Sequence, residues 1–536
     1  MNRADAVRVG ALYVPIVAAL LAGVTRRPGR RVLAGCLLSV LWAMTSLVVL
    51  ATWNDRAGWW SYSGGSVEEH VAGAKAPLDL VGGDAGTKVP AYLRRVSSAS
   101  SEMPAYLRQV NAVYENCPQR LKPHCGRGDY GTAKPVPLSK TVLSAGSKAR
   151  IDLVGTRIRG GAADTGEIVF CGTPLELYLG WAVLWGLVPQ LVFRRVGLAW
   201  VVVAMAGVDL VTMPWCAALV TLGPRWLWGE AAAVALVLLP ALCVARWTAE
   251  DTHLRARVAL QVATAGMLFL LLLPEMAFTL RPGRGWAPLM GEASWLRQLE
   301  LQMICVLALP GLGAVMEFAG RGRGSPIPFD PPKRLVTSGV YRYCANPMQM
   351  SATVVMLVWA GVLRNGWLLL APALSVVYGA GIAAWDEEAD LERRFGAAWR
   401  AYRAEVRNWR WRRRPYAAGP DAYLYIARTC GVCSELRRWL EAREPLGMQM
   451  VDAETLPAGS IERMRYEPGD GSGAVEGVRA LGRALEHLSV GWALCGVALR
   501  LPGVWWAVQV VMDASGLGPR VVCGVGVAAK AGSVRE

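Results

Sequence analysis

The chain alternates between long apolar runs and short polar loops. Runs at 6–24, 33–52, 174–193, 198–219, 226–245, 258–278, 299–319, 350–364 and 366–385 each approach the roughly 20 residues that a helix needs to cross a bilayer core. The last two are short and meet at Arg364-Asn365-Gly366, which predicts a tight hairpin. Two stretches depart from this pattern. Residues 53–173 are polar and Gly-rich, and the chain beyond the last run mixes helical and strand patterning. The pattern predicts a mainly α, polytopic helical membrane protein of about nine spans, with a small C-terminal α/β unit.

Charge gives the runs a direction. Lys and Arg number 57 against 41 Asp and Glu, a net charge of +16, although 54% of the chain is hydrophobic. A nucleic-acid binder would share the charge but not the apolar runs. The 23 Trp against 7 Phe suit anchoring at the bilayer interface. Loops 25–32, 194–197, 246–257 and 320–349 are basic, so alternate loops face the cytoplasm. That places the N-terminus outside and the C-terminus inside a cell membrane. The first run leads straight into Arg26, Arg27, Arg30 and Arg31 without a cleavage site, which reads as a retained span.

The segment 53–173 is expected outside, as a loosely ordered insertion. It contains a repeat, PAYLRRV at 90–96 and PAYLRQV at 104–110. Its Cys117, His124, Cys125 and Cys171 make either a disulfide set or a metal site, but the CxxC spacing of a zinc site is missing and no metal is expected. Asp209 and Glu275 lie inside apolar runs. Each marks either a functional site or a structural hydrogen bond between helices.

The polar chemistry gathers in 321–416. Pro326, Pro328, Pro331 and Pro332 forbid helix and make a stiff loop. Thr337-Ser338-Gly339 reads as a turn, and Asn346-Pro347 as a helix start with Pro at its first position. Such a start offers backbone N–H groups to an anion. After the hairpin come Asp386, Glu387, Glu388, Asp390 and Glu392. They suit a cationic ligand, or else an acidic turn neutralised by Arg393 and Arg394. Trp399, Tyr402, Val406 and Trp409 recur at helical spacing among arginines, the pattern of an amphipathic helix on the inner leaflet.

PFDPPKRLVTSGVYRYCANPM, an apolar hairpin and EEADLERRFGAAWRAY, in that order, resemble the isoprenylcysteine carboxyl methyltransferase family over about 315–416. The resemblance implies an integral-membrane enzyme that uses S-adenosylmethionine. Gly339, Tyr341, Asn346, Pro347, Glu387 and Glu388 would enclose the methyl donor, and a lipophilic acceptor would enter from the bilayer. The family's Arg before Asn-Pro or His-Pro is here Ala345.

Downstream, Ala422–Ile426 is of strand type, Cys430-Gly431-Val432-Cys433 opens a helix, and Met448–Val451 looks like a second strand. A helix N-terminus favours a thiolate, so Cys430 is the expected nucleophile and Cys433 the resolving thiol. The run 488–512 is broken by Arg500 and Pro502 and reads as packed helices, not a span. The segment resembles the DCC-type thiol-disulfide oxidoreductase family over about 422–520, which implies a thioredoxin-like fold and a cytosolic thiol reductant or thiol substrate. The expected segments are 1–52 (two spans), 53–173 (insertion), 174–298 (scaffold), 299–416 (methyltransferase-like), 417–520 (thioredoxin-like) and 521–536 (a disordered tail). Three functions follow: a membrane methyltransferase fused to a thiol-disulfide oxidoreductase, a membrane-anchored redox protein whose methyltransferase-like part is inactive, or, on Asp209 and Glu275, a transporter or lipid-binding protein that lacks an inverted repeat.

Overall fold

The computed structural model describes residues 3–62, 168–280, 285–326, 330–457 and 459–519, the side chains of 382–386 excepted. Most of the polar insertion, with Cys117, His124, Cys125 and both PAYLR repeats, lies outside the described residues, as does the segment 521–536.

All nine apolar runs are helical. Among the described residues seven helices are long and apolar enough to cross a membrane, or eight if the bent pair Val490–Arg500 and Val504–Leu517 is one span: α1 (Arg3–Arg26), α2 (Arg30–Ala57), α3 (Leu175–Val192), α4 (Leu198–Ala218), α5 (Trp226–Glu250), α6 (Leu254–Leu280) and α7 (Ser294–Gly322). The chain is a mainly helical, multi-pass membrane protein. The expected nine spans become seven because the hairpin helices are short. α8 (Pro347–Val362) has 16 residues. It rises about 24 Å, less than a hydrocarbon core of about 30 Å. Its partner α9 (Gly366–Gly381) is likewise below span length.

The core of the scaffold forms around α2. Ala43, Leu47, Val48 and Leu50 pack against Tyr178 and Trp185 of α3, Met205 of α4 and Leu238 and Leu242 of α5. Apolar side chains alone do not drive helices together in lipid, so close backbone approach matters. Gly35 permits it: a Cβ there would meet the Ala245 carbonyl oxygen at 2.6 Å. Both ends of the insertion are tied down. β1 (Trp60–Tyr62) pairs antiparallel with β4 (Val220–Leu222), and β2 (Val169–Phe170) pairs with β3 (Thr173–Pro174). Buried Asn54 donates to Trp60 O and accepts from Trp60 N, at 2.8 and 2.9 Å.

The loop after α7 is pinned by a buried cation. Arg257 of α6 donates to Asp330 at 2.8 Å, to Asp251 at 3.1 Å and to the Trp247 carbonyl at 3.1 Å. Lys333 also reaches Asp251, at 3.1 Å. These contacts fix where the chain re-enters as α8.

α10 (Ala383–Glu405) follows α9 and is broken at Gly396, with φ 51 and ψ −121. Its aromatic face does not meet lipid. Trp399, Tyr402 and Val406 are buried with Ala345 and Tyr416, flanked by Leu335, Leu391 and Phe395. The expected inner-leaflet helix is therefore corrected: periodicity gave the apolar face, and the polar loop 335–346 covers it.

The C-terminal part carries a four-stranded sheet of order β6-β5-β7-β8. β5 (Ala422–Ile426) runs parallel to β6 (Met448–Asp452). β7 (Arg465–Glu467) is antiparallel to β5, and β8 (Val475–Glu476) is antiparallel to β7. α11 (Gly431–Glu441) connects β5 to β6, and α12 (Val478–Leu485) follows β8. α13 (Val490–Arg500) and α14 (Val504–Leu517) meet at 87°. Leu424, Leu440, Tyr466, Ala484 and Leu488 form the core.

This part is not a loose appendage. Val497 of α13 packs with Ala314 of α7 and with Val336, Val340 and Tyr341. Glu317, at the end of α7 and 0% exposed, receives Arg483 and Arg500 from α12 and α13. Tyr343 Oη donates to the Glu486 carbonyl at 2.9 Å.

His487, buried in the same seam, makes the seam sensitive to acid. Its Nδ1 lies 2.7 Å from the Leu446 carbonyl, which only accepts, so Nδ1 carries the proton. Nε2 then accepts from Tyr466 Oη at 2.9 Å. Burial, then the charge of Arg342, holds the imidazole well below its usual range. The unfolded chain therefore binds the extra proton first. Stability is expected to fall by about 1.4 kcal/mol per pH unit as pH drops below about 6.5. Urea unfolding between pH 7 and 5 measures the slope, and His487→Gln should flatten it.

Candidate functional site

The central loop is built by its neighbours. Gly339 has φ +61, and a Cβ there would approach Glu317 Cγ to 2.6 Å, so only glycine fits. Ser338 Oγ donates to Glu317 at 2.7 Å. The Tyr341 carbonyl accepts from Tyr402 Oη at 2.8 Å. Ala345 N donates to Arg407 O at 3.2 Å, Arg412 N to Tyr343 O at 2.9 Å and Tyr416 N to Arg342 O at 2.9 Å. The basic stretch after α10 thus runs alongside 342–345 and holds it in place.

Asn346 is the N-cap of α8 and Pro347 opens its first turn, as the sequence predicts. Asn346 Nδ2 donates to Gln349 Oε1 at 3.3 Å. Gln349 and Trp409 converge on Gly379, where a Cβ would meet Gln349 Oε1 at 2.6 Å and Trp409 Cζ2 at 3.0 Å. Trp409 has φ 59, unusual for a bulky residue, and its buried indole N–H has no acceptor among the described residues. Sequence reading put Trp409 on the amphipathic face and missed this role. The only signal was its place in a Trp- and Arg-rich run.

The acidic residues divide. Glu387 is exposed on α10, and its charge acts on the Tyr341 phenol. Burial first, then the neighbouring Tyr402 and Glu387, pushes that phenol well above its usual range. Glu388 lies 4.0 Å from Arg403. Asp390 pairs with Arg393 and Arg394, and Glu392 with Arg400. Arg394 also donates to the Pro332 carbonyl, which ties α10 to the loop. Asp390 and Glu392 therefore belong to the neutralised turn. Gly339 and Tyr341 share one short turn, Asn346 and Pro347 open α8 just after it, and Glu387 acts on Tyr341 from α10.

In the C-terminal part, Cys430 is the N-cap of α11 and Cys433 lies one turn in. Both are half-buried. A carboxylate not anticipated from the sequence shapes their approach. Glu454 Oε1 accepts from Arg428 N, Thr429 N and Thr429 Oγ1, at 2.9, 3.1 and 3.0 Å. Burial works against its charge, yet these donors hold Glu454 below the usual carboxylate range. Beside the cysteines runs an apolar groove of about 750 Å³, lined by Val432, Leu436, Trp439, Trp492 and Leu499 among others. Trp439 and Trp492 meet edge to face at 4.8 Å, and the Arg443 guanidinium lies 3.8 Å from the Trp439 ring centre.

The two intramembrane acids differ in setting. Glu275 accepts from Trp286 Nε1 at 2.6 Å and bonds the Cys171 thiol, which answers its burial structurally. Asp209 instead bonds a second carboxyl group, Glu230, which sequence reading passed over.

Comparison of the chain with protein-family models, with curated proteins and with solved structures finds no match in any of the three.

Proposed function

We propose that this chain is an integral-membrane methyltransferase that uses S-adenosylmethionine on a lipophilic acceptor, joined to a thioredoxin-like thiol-disulfide oxidoreductase unit. The methyltransferase reading rests on Tyr341, Asn346 and Pro347 in one short stretch, on Glu387 acting on Tyr341, and on the buried Trp409 indole N–H, which has no acceptor among the described residues. In this reading Glu387, with Glu388 at the edge, takes the donor's ammonium. Asn346 and the N-terminus of α8 take its carboxylate, and Trp409 Nε1 donates to one of its acceptor atoms. The bound donor supplies a methyl group on a sulfonium. The chain's own work is to orient that group and exclude water. The short hairpin α8–α9 beside the loop is the route for an acceptor from lipid.

The redox reading of the C-terminal unit is supported by Cys430 at a helix start between parallel strands β5 and β6, with β7 and β8 antiparallel beyond. Its partner would be a cytosolic thiol reductant or thiol substrate, with the N-terminus outside and the C-terminus in the cytoplasm.

Calorimetry of S-adenosylmethionine with detergent-purified protein tests the first reading. Glu387→Gln is expected to weaken binding tenfold or more, about 1.4 kcal/mol. Failure of well-folded wild type to bind would sink it. The second reading, a membrane-anchored redox protein with an inactive methyltransferase-like part, is favoured by Ala345 and by the use of Asn346 Nδ2 on Gln349. It would then stand, provided that Cys430→Ser removes function and Glu387→Gln does not.

A further inference from the structure

The scaffold of α2 to α5 encloses a polar site that methyl transfer and thiol exchange leave unused. Asp209 of α4 and Glu230 of α5 are hydrogen-bonded to each other deep in apolar surroundings. They are 4% and 7% exposed. Two carboxylates in contact there cannot both be ionised, so the pair holds at least one proton. Asp209 apart, no N–H or O–H among the described residues donates to buried Glu230 Oε1. Both acids line a cavity of about 30 Å³, whose walls include Trp60, Tyr62, Tyr178, Trp181 and Trp185.

Trp185 narrows the choice of guest. It is 4% exposed, and its indole N–H has no acceptor among the described residues. The cavity wall thus supplies an acceptor, Glu230 Oε1, with no donor other than its neighbour Asp209, and a donor, Trp185 Nε1, with no acceptor among the described residues. A guest that serves both must accept and donate. The volume holds one or two waters, which need at least about 10–15 Å³ each and two to four polar partners. A bare metal ion cannot accept from an indole, and an ammonium ion has no lone pair to offer it. Water fits both requirements.

We infer that Asp209, Glu230 and a water held by Trp185 form a proton-binding site inside the membrane scaffold. The proton resides as an O–H on one carboxyl and is shared with the other. It exchanges by relay: the carboxyl O–H passes to the cavity water as that water hands one of its own protons back to the pair, and the water then exchanges with bulk. Atoms and charge balance with no other reactant. Of the titratable groups nearby, Tyr62 of β1 and Tyr178 of α3 line the same cavity, and Cys216 of α4 feels the charge of Asp209. The site makes the first spans a proton-handling unit, whatever the central loop binds.

Infrared difference spectroscopy of the full-length protein in detergent, in H₂O and in D₂O, tests this. Wild type should show a protonated-carboxyl C=O band that shifts on transfer to D₂O. Asp209→Asn and Glu230→Gln each leave one buried carboxyl, so each should shift the band, and the double variant should remove it. Trp185→Phe keeps both acids and should move the band or slow its exchange, which serves if the carboxyl variants fail to fold. A band absent from wild type, one that never exchanges with D₂O, or one unchanged in all these variants would overturn the proposal.

Discussion

Replacing Glu317 by Gln is expected to loosen the C-terminal part from the membrane part at a cost of about 3–5 kcal/mol, the range for breaking a buried ion pair from one side. Glu317 is fully buried. It receives Arg483, Arg500 at 2.9 Å, Ser338 Oγ at 2.7 Å and, more distantly, Arg321 at 3.5 Å. Glu486 is a second acid in the same cluster, bonded to Arg500 and, at 3.2 Å, to Arg483. With Glu317 neutral, one carboxylate is left to offset two guanidiniums that the fold keeps from water. Burial opposes the charge on Arg483, but Glu317 and Glu486 hold it firmly protonated, so it cannot relieve the imbalance by losing a proton. Gln keeps the size of Glu, so packing is nearly conserved and the loss reads out charge. Limited trypsin digestion in detergent should cut between 405 and 422 much faster in the variant, and thermal unfolding should separate into two transitions. Equal digestion rates would mean that the seam at Val497 and Tyr343 suffices without the ion cluster. Because Glu317 Cγ also packs on Gly339, the variant is expected to disturb the central loop as well.

The helices were legible because lipid imposes a rule that sequence states openly: about 20 apolar residues, then charge. All nine runs came out helical, and the ends that moved did so where capping or pairing extended them, as with α2 running on to Ala57 before Gly58 turns left-handed. The local chemistry of the central loop was legible for the same reason. Gly339 needs a positive φ and Pro347 suits a first helical turn, and both are single-residue rules. Partners were not legible. The spacing of Trp399, Tyr402 and Val406 announces an apolar face but not whether lipid or protein covers it. Arg483 and Arg500 look like surface charges, and only the tertiary fold brings them to Glu317, more than 160 residues away in the chain. Glu230 carried the same signal as Asp209, one acid in an apolar run. It lies near the start of its span, where an acid is ordinarily solvated. Trp409 shows the limit most clearly, since an unpartnered indole is a property of its surroundings and leaves no mark on the sequence.

On the redox reading proposed for the C-terminal unit, Cys430→Ser is expected to abolish dithiol exchange, a loss of more than about 100-fold, because it removes the attacking sulfur outright. Cys433→Ser should act differently. Cys430 is the cap residue, with extended backbone at φ −93 and ψ 121, while Cys433 sits within the first turn of α11. On the redox reading, the thiol at the cap attacks a substrate disulfide and the one a turn in resolves the mixed disulfide that results. Attack by Cys430 would break the substrate's S–S bond and release one thiolate. Attack by Cys433 would then close Cys430–Cys433 and release the second, leaving the unit oxidised by two electrons. A Cys433→Ser chain should therefore accumulate the mixed disulfide, visible as an added substrate mass that dithiothreitol removes, whereas Cys430→Ser should show neither adduct nor turnover. Glu454 adds a finer test. It holds the backbone of Arg428 and Thr429 just before the cap, so Glu454→Gln should slow formation of the adduct while leaving its resolution intact. Reversed roles, with the adduct forming only in Cys430→Ser, would mean that Cys433 attacks and that a cap position alone does not select the nucleophile.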